Sequence, residues 1–87
     1  MFHVYILFSL KDLEFYTGFT ENLKRRFSQH ASGNVESTKN RRPLKLVYYE
    51  AYLLKEDAEA REKYLKTSDG KRDIKRQLKK FIEKHRK

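Results

Sequence analysis

The chain predicts an α+β fold: a small three-stranded, mostly antiparallel sheet flanked by helices, in the order β-β-α-β-α-α. Short runs rich in aromatic and β-branched residues fall at 2–9, 14–18 and 44–53. Segments with a helical apolar period follow the second and third of these runs. The length, 87 residues without repeat or low-complexity tract, predicts one domain over 1–87.

Phe2 to Ser9 alternates and reads as the first strand, and Lys11-Asp12 is a tight polar link to its antiparallel partner, Glu14 to Gly18. Thr20 is a suitable N-cap for a helix over 21–31, with Glu21 at its positive end and Leu23, Phe27 and Ala31 as its stripe. A polar loop over 32–43 carries Lys39, Arg41 and Arg42 and closes at Pro43. The third strand, Leu44 to Leu53, sets Leu46, Tyr48 and Tyr52 on one face and Val47, Tyr49, Ala51 and Leu53 on the other. A second helix covers about 56–66, with Ala58 and Leu65 inward. Asp69 then caps a third helix running from Lys71 towards Lys84, whose inner stripe is Ile74, Leu78, Phe81 and Ile82, with His85 near the same line.

So short a chain buries only about 60–68% of its unfolded surface, so large aromatics must fill a thin core. Six Tyr, six Phe and no Trp suit that need. There is no cysteine, which removes disulfides, thiolate nucleophiles and Cys-based metal sites. No run approaches the roughly 18 apolar residues of a membrane span, and Met1 to Ser9 lacks the features of a signal peptide. The expectation is a cytoplasmic protein with no membrane partner. The formal charge is +9, and +7 of it lies in 71–87. That field attracts polyanions, and Lys75, Arg76, Lys79 and Lys80, with the loop cations Lys39, Arg41 and Arg42, are the expected nucleic-acid contacts. A solvated charged terminal helix is the plain alternative.

Arg26 and His30 stand one helical turn apart on a face beside Leu23. Such an arginine grips a phosphate through paired hydrogen bonds, and a histidine relays protons near neutral pH. Both are otherwise ordinary residues of a basic helix. Glu62 falls on the Ala58 and Leu65 side of its helix, where a carboxylate is costly unless paired or bound to a cation. Its alternatives are a boundary position with the head in water, or a pair with Arg61 or Lys66. Tyr5 and Tyr16 occupy neighbouring strands, where tyrosines otherwise pack with one hydrogen bond each. Gly18, lacking a side chain, leaves room for substrate or backbone.

Together these residues resemble the GIY-YIG nuclease domain over essentially the whole chain. His3-Val4-Tyr5 stands for the first signature and Tyr16-Thr17-Gly18 for the second, followed by Asn22-Leu23-Lys24-Arg25-Arg26 and His30, and by Ala58 to Lys66 around Glu62. The pattern is similar to the N-terminal nuclease domain of the excision-repair endonucleases, in the form of a small stand-alone member. It departs at His3, where the signature has glycine, at Thr17, which replaces a branched apolar residue, and at Phe19, which is lysine in some members. The resemblance implies a divalent-metal-dependent endonuclease acting on DNA, with RNA left open and a protein partner able to supply specificity. It implies Tyr5 and Tyr16 lining the site, Tyr5 activating water, Arg26 stabilising the phosphate, His30 in a place held by histidine or tyrosine, and Glu62 binding magnesium or manganese. The competing reading is a non-catalytic nucleic-acid-binding module or a component of a DNA-repair complex.

Overall fold

The computed structural model describes residues 1–85; Arg86 and Lys87, the end of the basic tail, lie outside the described residues. Its elements are β1 (Phe2–Ser9), β2 (Phe15–Thr20), α1 (Leu23–Ala31), β3 (Leu44–Tyr52), α2 (Lys55–Leu65), α3 (Ser68–Gln77) and α4 (Lys79–His85), with a 3-10 turn at Lys39–Arg41. The fold is α+β, with one helix more than the sequence pattern gives.

The sheet runs β2-β1-β3, with both pairings antiparallel. β1 is therefore central, and Val4 through Ser9 are all buried. One face of the sheet presents Val4 and Ile6 to Ala58 and Leu65 of α2 and Ile74 of α3, with Phe15, Phe19, Tyr48 and Tyr52 packed around them. The opposite face presents Tyr5 towards α1 and the 32–43 segment. The β1–β3 register shifts between Ile6 and Leu7, so Tyr48 pairs with Ile6 while Leu46 pairs with Leu7. This bulge moves Leu46 to the face opposite Tyr48, against the strict alternation read from the sequence.

Several boundaries differ for identifiable reasons. Thr20 ends β2, and Asn22 caps α1 by accepting from the Arg25 amide at 3.0 Å. Thr67, not Asp69, caps α3, accepting from the Gly70 amide at 3.1 Å. The expected single last helix breaks at Leu78. Beyond the break Phe81 lies edge-on to Phe8 at 5.1 Å, while Ile74 and Leu78 stay against the α2 core. Ala31, assigned to the α1 stripe, is exposed. At the α2–α3 junction the chain passes so close that a Cβ on Gly70 would overlap the Tyr64 carbonyl and Leu65 Cα.

Candidate active site

Tyr5 sits at the middle of the central strand, opposite Gly18 of the edge strand β2. Its ring lies directly over Gly18, where any Cβ would overlap the ring and hydroxyl. The glycine thus makes room for Tyr5, and the space expected to admit substrate is filled by that ring. Carried across in this way, the Tyr5 hydroxyl meets His30 Nε2 of α1 at 2.8 Å. His30 Nδ1 meets Thr38 Oγ1 at 2.7 Å. Tyr5 is 1% exposed and His30 and Thr38 are 0% exposed, so the chain of three polar groups is buried. Tyr16 flanks it, with its ring at 5.3 Å from His30 and its hydroxyl accepting from Ser37 at 3.3 Å.

Burial pushes the Tyr5 hydroxyl above its ordinary value, and the charges of Tyr16 and Glu62 push the same way; the Arg26 guanidinium pulls it down. Arg26 is half-buried and donates to Gln29 Oε1 at 3.2 Å. Glu62 belongs to α2 across the sheet, yet its charge is felt at Tyr5 because the tyrosine reaches out over the edge strand. The structure therefore brings Tyr5, Tyr16, Arg26 and His30 together, while Glu62 lies on a helix of the opposite face and acts on Tyr5 only as the least of the influences on its pKa.

His30 does not fit the role of a free proton relay near neutral pH. Burial first, and the neighbouring Arg26 charge second, lower its pKa to about 4. Both of its ring nitrogens are already engaged. A neutral ring has one donor and one acceptor nitrogen, so Thr38 and Tyr5 must take opposite roles.

The Glu62 side chain is 24% exposed, and its Oε2 lies 3.1 Å from Lys66 Nζ. Among the described residues no group of three or more His, Cys, Asp or Glu gathers to hold a metal. The donor set still fits magnesium or manganese, because a hard cation at a phosphodiester keeps several waters and needs only one or two carboxylates plus substrate oxygens. The ammonium on Glu62 marks this oxygen as a place where positive charge settles.

The expected cationic contacts divide. Arg41 is consumed by the fold: its Nε donates to Asp12 at 2.7 Å while its own carbonyl accepts from Ser9 Oγ at 2.6 Å. Arg42 Nε donates to the Lys39 carbonyl at 3.0 Å, and Lys39 pairs with Glu36 at 3.2 Å. The 32–43 loop is a folded-in strap with Val35 and Thr38 buried, rather than a free basic arm. Arg76 pairs with Asp73, and Lys80 stands 3.8 Å from Glu83. Lys75 and Lys79 are exposed. His3 is half-buried on the Tyr5 face with its ring 6.1 Å from Tyr49, and its buried Nδ1 has no partner among the described residues.

Sequence reasoning missed Thr38 and Ser37, since no pattern joins a loop hydroxyl to a helix eight residues away. It also missed a second polar cluster, on the α2 face. Glu50 there accepts from Tyr48 at 2.6 Å, Tyr52 at 2.7 Å, and two Arg61 nitrogens at 2.9 and 3.1 Å. Burial pushes the Glu50 carboxyl up, but these hydrogen bonds outweigh it and hold the group below the usual carboxylate range. Tyr52 is pushed up to about 12 by burial and by Glu50. The i, i+2 spacing of Tyr48, Glu50 and Tyr52 on one strand face was the available signal.

No helix among the described residues is long and apolar enough to cross a membrane. The chain is 38% identical over 87 residues to the UPF0213 protein of Limosilactobacillus reuteri, covering 97% of this chain and 84% of that one. It is 45% identical over 67 residues to a UPF0213 protein of Clostridium perfringens, covering 76% and 71%. The solution NMR structure of a UPF0213 protein from Bacillus halodurans matches with a TM-score of 0.53 and 37% identity, over 85% of this chain and 82% of that one. The model of the GIY-YIG catalytic domain matches residues 1–77, which takes in the tyrosine pair, Arg26, His30 and Glu62. The chain belongs to the GIY-YIG catalytic domain family, a family of nuclease type.

Proposed function

We propose that this protein is a divalent-metal-dependent endonuclease that hydrolyses DNA phosphodiester bonds at the edge of β2. The observation that carries the reading is the Tyr5 hydroxyl, held by His30 at 2.8 Å and under the opposed influences of the Arg26 cation and the Glu62 carboxylate. Arg26 grips the scissile phosphate and stabilises the charge that builds on its oxygens. Tyr5 takes the proton of an attacking water brought in with the substrate at its phenolic oxygen while its own proton passes to His30 Nε2. His30 accepts from the Tyr5 hydroxyl at Nε2 and donates from Nδ1 to Thr38 Oγ1. Tyr16 closes the other side. The water oxygen forms the new bond to phosphorus as the bond to the 3′-oxygen breaks, and that oxygen takes up a proton from solvent, giving 5′-phosphate and 3′-hydroxyl ends. Glu62 would hold magnesium or manganese, which when bound would supply further neutralisation of the phosphate.

Single-turnover cleavage of a panel of duplex, branched and single-stranded DNA tests this. Wild type cuts at least one substrate with magnesium and none with chelator. Glu62→Gln remains folded and bound but loses cleavage by at least about a hundredfold. Full activity in Glu62→Gln defeats the one-carboxylate site.

A further inference from the structure

We infer that the trough beside β2 is a binding site for an unpaired strand of the substrate, a role that rests on the DNA-cleaving reading above. On the α2–α3 side of β2 a cavity of about 270 Å³ is floored by Phe15, Leu65 and Ile74 and rimmed by Lys66, Lys71 and Lys75. A second cavity of about 230 Å³ continues it, sharing Phe15 and Lys75 and adding Phe8, Ile82 and His85. The rings are contiguous: Phe8 lies 5.3 Å from Phe15, and His85 lies 5.1 Å from Phe8. On the rim of the first cavity, one lysine borders the candidate carboxylate. Tyr16 lines the first cavity, and Lys66 is the residue whose ammonium rests on Glu62.

Its chemistry selects the occupant. Arg72, Arg76 and Lys80 have carboxylate partners, whereas neither Lys71 nor Lys75 has one among the described residues. A rim of lysines facing one carboxylate, Glu14, is matched to phosphates. An aromatic and aliphatic floor is of no use to a duplex, whose bases already stack on one another inside it. It suits bases that have lost their partners, which stack on the part-exposed Phe15 and the exposed His85 while the backbone follows a cationic edge. Each cavity falls below the roughly 300–1,000 Å³ of a drug-sized ligand pocket, a scale matched to single nucleotides in succession. The preferred substrate is thus a duplex with a single-stranded extension at the cleaved phosphate.

Binding by the Glu62→Gln protein tests this without turnover. A blunt DNA duplex is compared with the same duplex carrying a single-stranded tail that contains 2-aminopurine. The tail should tighten binding about tenfold or more, and its fluorescence should be quenched by stacking. Lys71→Gln with Lys75→Gln should remove most of this preference and lower the salt slope for the tail by about 1.4. Phe15→Leu should restore the fluorescence and cost the tailed duplex roughly five- to a hundredfold. Phe15 also packs against the core, so the lysine pair, which is exposed, keeps the test independent of folding. A tail worth less than twofold, or equal losses on blunt and tailed DNA in the lysine variant, overturns the site. If wild type cuts DNA without any tail preference, the trough assignment fails alone; if tail preference stands but nothing is cut, the nuclease reading fails instead.

Discussion

Two residues whose names suggest chemistry or flexibility have different physical jobs here. His30 is held neutral: its pKa falls from 6.5 to about 4 because of burial and then Arg26. Below pH 6.5 the unfolded chain takes up a proton that the folded chain refuses, so stability should decline from about pH 6.5 to about pH 4 and level off beneath. The decline attributable to this one ring is on the order of 3 kcal/mol. Urea denaturation across that range should show a shallower dependence in His30→Gln; identical slopes would remove His30 as the source. Gly18 is the seat of the Tyr5 ring. Gly18→Ala should cost about 1–3 kcal/mol by overpacking. It should also lower cleavage about a hundredfold, because the hydroxyl moves on the ångström scale from His30. A denaturation midpoint and a rate equal to wild type would show that the ring has another place to go. Strand pairing and the helical turn, which are short-range rules, announced that Tyr5 lies near Tyr16 and Arg26 near His30, while their roles came from the family resemblance alone. Those rules did not announce Thr38, which reaches His30 only through the path of an irregular loop, nor that Gly18 is filled from within.

Strands and helices were legible where the period was long enough to read, and their ends were not. β1 was bounded correctly because a continuous aromatic and branched run ends at Ser9, whose hydroxyl organises the turn by accepting from the Lys11 and Asp12 amides at 3.2 and 3.1 Å. The β3 bulge left no mark, since Leu46 and Tyr48 are apolar enough for either face. Three eligible caps, Thr67, Ser68 and Asp69, stood together, and tertiary packing chose the first. The reason is next door: α2 and α3 cross at Gly70, where there is no space for a methyl group. Gly70→Ala would gain about 1 kcal/mol of helix propensity. The opposing overlap is with backbone, which cannot swing aside, so the variant should be destabilised by about 1–3 kcal/mol net. Thermal melting decides it, and a rise in Tm would mean that the junction is looser than this geometry.

Across the whole molecule the candidate site belongs to neither layer alone. Tyr5 and His30 lie on the α1 face and Glu62 on a helix of the other, from which its charge raises the Tyr5 pKa. Cleavage and tertiary structure should therefore vanish together in urea, with coincident midpoints for single-turnover rate and near-ultraviolet tyrosine dichroism. Activity lost well before the dichroic signal would mean that one layer loosens independently. The same construction gives the Glu50 cluster a purpose beyond stability. Arg61 and Glu62 are consecutive, so their side chains leave α2 about 100° apart. Arg61 is pinned through two nitrogens to the Glu50 carboxylate near the C-terminal end of β3. With one spoke of the helix bolted to the sheet, α2 cannot roll about its axis, and the bearing of the next spoke is set. What looks like an ordinary ion pair is thus a rotational stop, and the aim of Glu62 is decided on the far side of the sheet from the chemistry it would serve.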